Sequence, residues 1–171
     1  QENRLYLLQT RSRKRTAKAA VKIAVDLVNE GLISEKEALR LMDPEMARFF
    51  MHPMIDPQAE KNVLALGLPA SPGAVTGKIV FTSEDAQKAK DQGDQVILVR
   101  VETTPEDIHG MQAALGILTT SGGMTSHAAL LARGMGRTCI VGCKGLSVDE
   151  KKQRLILENG SVIRKGRLLT L

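Results

Sequence analysis

Apolar positions along the 171-residue chain change their spacing partway through. Over residues 14–51, Ala20, Ile23, Ala24, Leu27 and Val28 recur three and four residues apart, the period of a helix with one apolar face. The run stops at Asn29-Glu30-Gly31, where glycine can take the left-handed conformation that closes a helix. Ser34 and Glu37 stand at capping-box spacing ahead of Ala38, Leu39, Leu41 and Met42, and Asp43-Pro44 supplies an N-cap and a first-turn proline for a third helix. Three short helices in succession are predicted. Two prolines in His52-Pro53-Met54-Ile55-Asp56-Pro57 then bias the chain toward extended backbone and bar helix continuation, so this segment reads as a linker.

From about Val63 onward, short β-type runs alternate with short helices. Residues 73–81 read as a strand, residues 82–91 as a capped polar helix, and Gln95-Val96-Ile97-Leu98-Val99 as a strand apolar enough to be covered on both faces. Thr104-Pro105-Glu106-Asp107 opens another helix with an N-cap, a first-turn proline and two acidic residues suited to the helix dipole. Residues 116–120 read as a buried strand. Asn159-Gly160 is a two-residue hairpin signal, and Lys165-Gly166 turns the chain once more into Arg167-Leu168-Leu169, so the domain is expected to finish in a β meander. The pattern as a whole predicts an α/β fold, strands layered with helices.

Composition adds constraints. A hydrophobic fraction of 43% suffices for a core, and with three Phe, one Tyr and no Trp that core must be aliphatic. The net charge of +5 comes largely from residues 11–22, which hold no acidic residue and could attract nucleic acid or phosphates. The scarcity of aromatic residues weighs against base stacking, and a solvated helix face accounts for the same charges. Cys139 and Cys143 fit neither a redox pair nor a zinc site and are expected to be reduced core residues. No apolar run approaches the roughly 18 residues of a membrane span, and no signal-peptide pattern is present. A cytoplasmic setting is expected. Because the chain opens without Met on strand-like Leu5-Tyr6-Leu7-Leu8 and stops at Leu169-Thr170-Leu171, it reads as a piece of something longer.

The strongest chemical signal is Gly122-Gly123-Met124-Thr125-Ser126-His127, a glycine turn that leads from a buried strand into a helix, with Thr125 or Ser126 as the N-cap. Histidine readily presents a neutral nitrogen nucleophile at neutral pH, and the positive end of a helix favours both the neutral ring and an anion placed beside it. Gly122, Gly123, Thr125 and Ser126 are candidate phosphate binders around a nucleophilic His127. Ala128 and Ala129 are small enough to admit a bulky donor, with Leu130, Leu131 and Ala132 as the anchoring side. A metal site is not expected, since no second His lies near in sequence and Cys143 is offset. Ser126 with His127 as its base is also disfavoured, because adjacent helical residues diverge and there is no nucleophile elbow. Covalent catalysis by His127 itself is left. Arg133 and Arg137 could meet phosphate, but Arg133 points well around the helix from His127 and stays outside the catalytic set.

The string Thr119-Thr120-Ser121-Gly122-Gly123-Met124-Thr125-Ser126-His127-Ala128-Ala129, followed by Leu131-Ala132-Arg133-Gly134-Met135-Gly136, resembles the phosphohistidine signature of the phosphoenolpyruvate-utilising enzymes. Residues 68–74 look like that family's entry into its swivelling domain, residues 102–111 like its loop and helix, and residues 7–11 like the last strand of its ATP-grasp domain. Phosphoenolpyruvate synthases and Enzyme I of the sugar phosphotransferase system tend to have Arg at the position of Met124, so Met124 favours the dikinase branch.

The resemblance implies a swivelling β/β/α phosphohistidine domain over residues 63–171, a small helical linker subdomain over residues 13–62, and the end of an ATP-grasp domain in residues 1–12. It implies a parent enzyme that interconverts ATP, phosphate and pyruvate with AMP, diphosphate and phosphoenolpyruvate, using Mg2+ bound outside this segment. His127 would shuttle the phosphoryl group between the ATP-grasp domain and a pyruvate-binding TIM-barrel domain of the same chain. Gln9 and Arg11 match nucleotide-contacting positions. Thr125 matches a threonine whose phosphorylation by a regulatory kinase, reversed by a phosphorylase, switches some members off, and the full-length protein is expected to be a homodimer. Two other readings stay open: the equivalent domain of a synthase or Enzyme I, and a basic nucleic-acid-binding module.

Overall fold

The structure, a computed structural model, describes Gln9 and residues 15–171. Gln9 is exposed and lies in no helix or strand, whereas Arg11 and the strand-like residues 5–8 fall outside the described residues. Contacts divide the chain after Met51 into two units.

The first unit holds the three predicted helices: α1 (Ala17–Asn29), α2 (Glu35–Arg40) and α3 (Pro44–Phe50). Thr16 caps α1, and Gly31 follows that helix at φ +70°. The expected box is present at α2: the Ser34 hydroxyl accepts from the Glu37 amide while the Glu37 carboxylate accepts from the Ser34 amide. Among the described residues of this unit, Ala24 and Ala38 are the buried hydrophobic ones, and Val25, Leu32, Leu39 and Leu41 are exposed.

In the second unit, β2 (Thr76–Val80), β3 (Val96–Arg100), β4 (Gly116–Thr119) and β5 (Thr138–Lys144) form a parallel core. Helices α4 (Ser83–Asp91), α5 (Ile108–Ala113) and α6 (His127–Met135) connect them in turn, and a 3-10 turn at Pro105–Asp107 precedes α5. Sequential parallel strands are also neighbours in the sheet, so crossovers of one hand deliver all three helices to the same face. β1 (Leu66–Ser71) and β9 (Leu168–Thr170) flank this core antiparallel, giving the order β1-β5-β4-β3-β2-β9. A second sheet of β6 (Leu146–Asp149), β7 (Arg154–Leu157) and β8 (Val162–Arg164) is the predicted meander, turned at Asn159-Gly160. The meander stops there. After Gly166 the chain crosses to pair β9 with β2 in the large sheet, a correction to the expectation that residues 167–169 continue the small one.

Alternation along the strands separates two cores. Val80, Val96, Leu98, Ile117, Cys139 and Val141 pack with Ala86, Met111, Ala128, Ala129 and Ala132 of the helices. Ile79, Phe81, Ile97, Val99 and Leu118 pack instead with Leu155, Leu146, Val148 and Ile163 of the second sheet. A helix layer, a large sheet and a small sheet result, which is why residues 96–99 are apolar without alternation. Lys165 and Gln153 tie the small sheet to α4 through the Asp85 carboxylate, at 2.6 and 3.2 Å.

β5 also carries an irregularity that bears on the loop after β4. Between the pairs Leu66↔Lys144 and Leu68↔Val141 it has one residue more than β1, a bulge. Gly142, in that bulge at φ +59°, has its amide 3.3 Å from the Ser121 carbonyl, and a Cβ there would stand 2.5 Å from the Gly122 carbonyl oxygen.

Two outcomes are expected. Gly142→Ala should destabilise more than Gly160→Ala, which pays the left-handed strain (φ +81°) with open space around it; the excess is about 1–3 kcal/mol by denaturant unfolding, and equal losses would contradict the buttress. The second concerns Asp85. Burial disfavours its carboxylate, but the Lys165 ammonium and Thr82 hydroxyl, with the charges of Lys165 and Lys88, outweigh that and hold the carboxyl below its usual range. A folded-state value below the unfolded one adds stability that is complete above the unfolded value and lost as pH falls through the folded value. Asp85→Asn should therefore cost on the order of 1 kcal/mol at neutral pH, with the gap to the parent closing under acid; a pH-independent gap in urea unfolding would refute it.

Candidate functional site

Two neighbouring strands build the site. β3 and β4 end in register, Arg100 opposite Thr119, and the pairing runs on past both ends: the Thr120 amide donates to the Arg100 carbonyl at 3.2 Å and the Ser121 amide to the Val101 carbonyl at 2.9 Å. The loops that follow therefore start side by side. One carries Thr103. The other is the glycine turn that enters α6 at His127.

The turn is set by small residues and short polar contacts. Gly122 sits at φ +89°, and a Cβ there would lie 2.9 Å from the Ser126 Cβ. The Ser126 amide donates to the Gly123 carbonyl at 2.9 Å, and the Ser126 hydroxyl accepts from the Ala129 amide at 3.4 Å, so Ser126 is the N-cap and Thr125 is an exposed residue before it. Met124 is exposed too. The gathered candidates are thus Gly122, Gly123, Thr125, Ser126 and His127.

His127, half-buried, is the first residue of α6, where helix amides lack intrahelical partners. Its Nδ1 lies 3.3 Å from the hydroxyl of Thr103, a residue only 4% exposed. Nε2 has no hydrogen-bond partner among the described residues. Thr103 is a residue that sequence reasoning did not single out. Its only signal was membership of the stretch 102–111, and nothing in local spacing says that a residue 24 positions upstream meets the imidazole.

Two expectations about α6 need correction. Ala128 and Ala129 are buried against the sheet, so their small size sets how closely the helix packs on the strands and does not open space for a donor. Leu130 is 57% exposed and anchors nothing; Ala132 and the partly buried Leu131 share that role with the two alanines. Arg133 lies outside the site's gathered candidates, as expected: its guanidinium folds back, donating to the Ala129 carbonyl at 2.9 Å and to the Met124 carbonyl, and so clips the glycine turn to the helix. Arg137 donates to the Gln112 carbonyl at 2.9 Å.

The remaining candidates lie apart from chemistry. Cys139 and Cys143 are free and buried, and burial pushes the Cys139 thiol up to about 12 against the opposing charge of Arg133, so it is no thiolate nucleophile under α6. Exposed His109 belongs to α5. Among the described residues no group of three His, Cys, Asp or Glu side chains could hold a metal ion, and no helix is long and apolar enough to cross a membrane.

Residues 92–161, which include both loops and all of α6, match the family described as "PEP-utilising enzyme, mobile domain". The whole chain is 55% identical over 171 residues to a pyruvate, phosphate dikinase of Rhizobium meliloti, covering 19% of that protein. It is 52% identical over 173 residues to pyruvate, phosphate dikinase 2 of Zea mays (20% covered) and 51% identical over 171 residues to the Rickettsia typhi dikinase (19% covered). None of this supports a nucleic-acid-binding module. The chain therefore belongs to the phosphoenolpyruvate-utilising enzymes, carries their mobile domain, and spans about a fifth of the length of the curated relatives it matches.

Proposed function

We propose that this chain is the phosphoryl-carrying part of a pyruvate, phosphate dikinase, with His127 as the carrier and Nε2 as the atom that forms the phosphorus bond. The observation that supports this most is the pairing of His127 Nδ1 with the Thr103 hydroxyl at the start of α6. When Nδ1 holds the ring proton and donates it to Thr103 Oγ1, the lone pair resides on Nε2, which is otherwise unengaged.

With phosphoenolpyruvate as donor, the Nε2 lone pair forms the N–P bond while the bond from phosphorus to the enol oxygen breaks. The electron pair leaves with the enolate, which takes a proton to become pyruvate. Attack places positive charge on the ring, and Thr103 Oγ1, as acceptor from Nδ1–H, stabilises it. The first-turn amides and the positive end of α6 face the negative charge that His127 gains. Gly122 and Gly123 let backbone approach the phosphoryl oxygens, and the Ser126 and Thr125 hydroxyls supply further donors. Phosphorylation of Thr125 would add nearly two negative charges beside that group and block transfer by repulsion.

The parent reaction in this reading is ATP, phosphate and pyruvate to AMP, diphosphate and phosphoenolpyruvate. Residues 1–12, with Gln9 and Arg11, belong to the end of an ATP-grasp domain, residues 13–62 link it to the mobile domain, and residues 63–171 swivel between it and a TIM barrel. A homodimer, a cytoplasmic setting and a regulatory kinase and phosphorylase complete the proposal. Magnesium belongs with the nucleotide domain, outside these residues, and no step here runs through it.

Incubating the full-length protein with labelled phosphoenolpyruvate should place acid-labile, base-stable label on the peptide that contains His127, and His127→Asn should abolish it. Equal labelling of His127→Asn would overturn the assignment.

A further inference from the structure

Behind the Thr103 contact lies a buried polar cluster that the proposed chemistry does not use. Asp107 is 5% exposed, yet its carboxylate gathers the Ser83 hydroxyl at 2.9 Å on one oxygen and the Thr104 amide and hydroxyl at 2.9 and 3.3 Å on the other. Arg100 Nε stands 3.4 Å from that second oxygen, an ion pair whose geometry falls short of a hydrogen bond. The guanidinium is held in turn by the Phe81 carbonyl at 3.1 Å and by Glu150 at 3.3 Å. A Cβ on Gly110 would fall 2.5 Å from the Ser83 Cα, so α5 and the start of α4 approach closely enough to keep Ser83 on Asp107.

Burying a carboxylate and a guanidinium is expensive, and well-packed apolar side chains would hold a helix start as firmly. What this cluster grips is specific. The Thr104 amide is the nitrogen of the peptide joining Thr103 to Thr104, so the carboxylate fixes the plane from which the Thr103 side chain projects toward Nδ1. We infer that Asp107 is a positioning residue for His127: by pinning the Thr103-Thr104 peptide it keeps the Thr103 hydroxyl on Nδ1 and leaves Nε2 as the reactive nitrogen. Asp107 touches neither the ring nor the phosphoryl group.

The inference rests on the carrier role of His127, and a double-mutant cycle separates the two. In the full-length protein, single-turnover labelling of His127 from phosphoenolpyruvate is measured for Thr103→Val, Asp107→Asn and the pair. Asp107→Asn should slow labelling about 10- to 100-fold, the scale of a small misplacement of a reacting group. In the Thr103→Val background the same change should cost less than about 2-fold, because residues that act through one another are not additive. The imidazole 15N spectrum of Asp107→Asn should also show loss of the Nδ1–H tautomer preference, which a purely structural role would not move. Multiplying rate losses, or an unchanged rate and spectrum in folded Asp107→Asn, would overturn the inference. Should Asp107→Asn fail to fold, Ser83→Ala removes a single donor from the carboxylate; its slowing must vanish in the Thr103→Val background, and no slowing at all counts against the inference. Absence of label on His127 in the parent protein would be a failure of the carrier reading alone.

Discussion

The in-register parallel pairing of β3 with β4 is the constraint on which the rest of the site depends. Arg100 and Thr119 end these strands opposite one another, and two further backbone hydrogen bonds carry the pairing into the loops beyond. Thr103 and the glycine turn thereby emerge at the same end of the sheet, the end at which ligands meet open α/β sheets. Everything chemical follows from that adjacency. A shift of two residues in register would leave each side chain on its own face of the sheet and yet separate Thr103 from His127.

The flanking structure holds the two loops against each other. On one side Asp107, itself held by Ser83 and Arg100, accepts from the Thr104 amide of the Thr103-Thr104 peptide. On the other, the Gly142 bulge backs the Gly122 carbonyl and Arg133 clips the Met124 carbonyl to the last turn of α6. Ala128, Ala129 and Ala132 seat the helix on the sheet through small buried side chains. A carrier needs this arrangement: the nucleophile must be held rigidly while one face of it stays open to donors and acceptors supplied by the rest of the protein. In the proposed function both active sites are completed elsewhere, and this domain contributes one nitrogen in a defined orientation.

Much of this was legible in the sequence where the deciding interactions are local. The Ser34–Glu37 box, the Asn159-Gly160 hairpin, the two-sided strand at residues 96–99 and the helix opening at His127 each depend on a few adjacent residues, and each is present. Features set by distant partners were not legible. β9 reads locally like another meander strand, and only the vacant edge of β2 draws it across to the large sheet. Leu130 looks like an anchor by composition, but α6 turns that position outward. Thr103 meets His127 through strand register, which no motif records, and Gly142 looks like an ordinary strand residue until the Gly122 carbonyl is seen beside it. Arg11 and, apart from Gln9, the proposed end of the ATP-grasp domain lie outside the described residues.

In the proposed function, Thr103 and the start of α6 make Nε2 of His127 the phosphoryl-accepting atom. Nitrogen-15 NMR of the full-length protein labelled at histidine, recorded before and after reaction with phosphoenolpyruvate, tests it most directly. An Nδ1–H tautomer is expected before reaction, and phosphorus coupling to Nε2 after it. Coupling to Nδ1, or no coupling at His127, would contradict it.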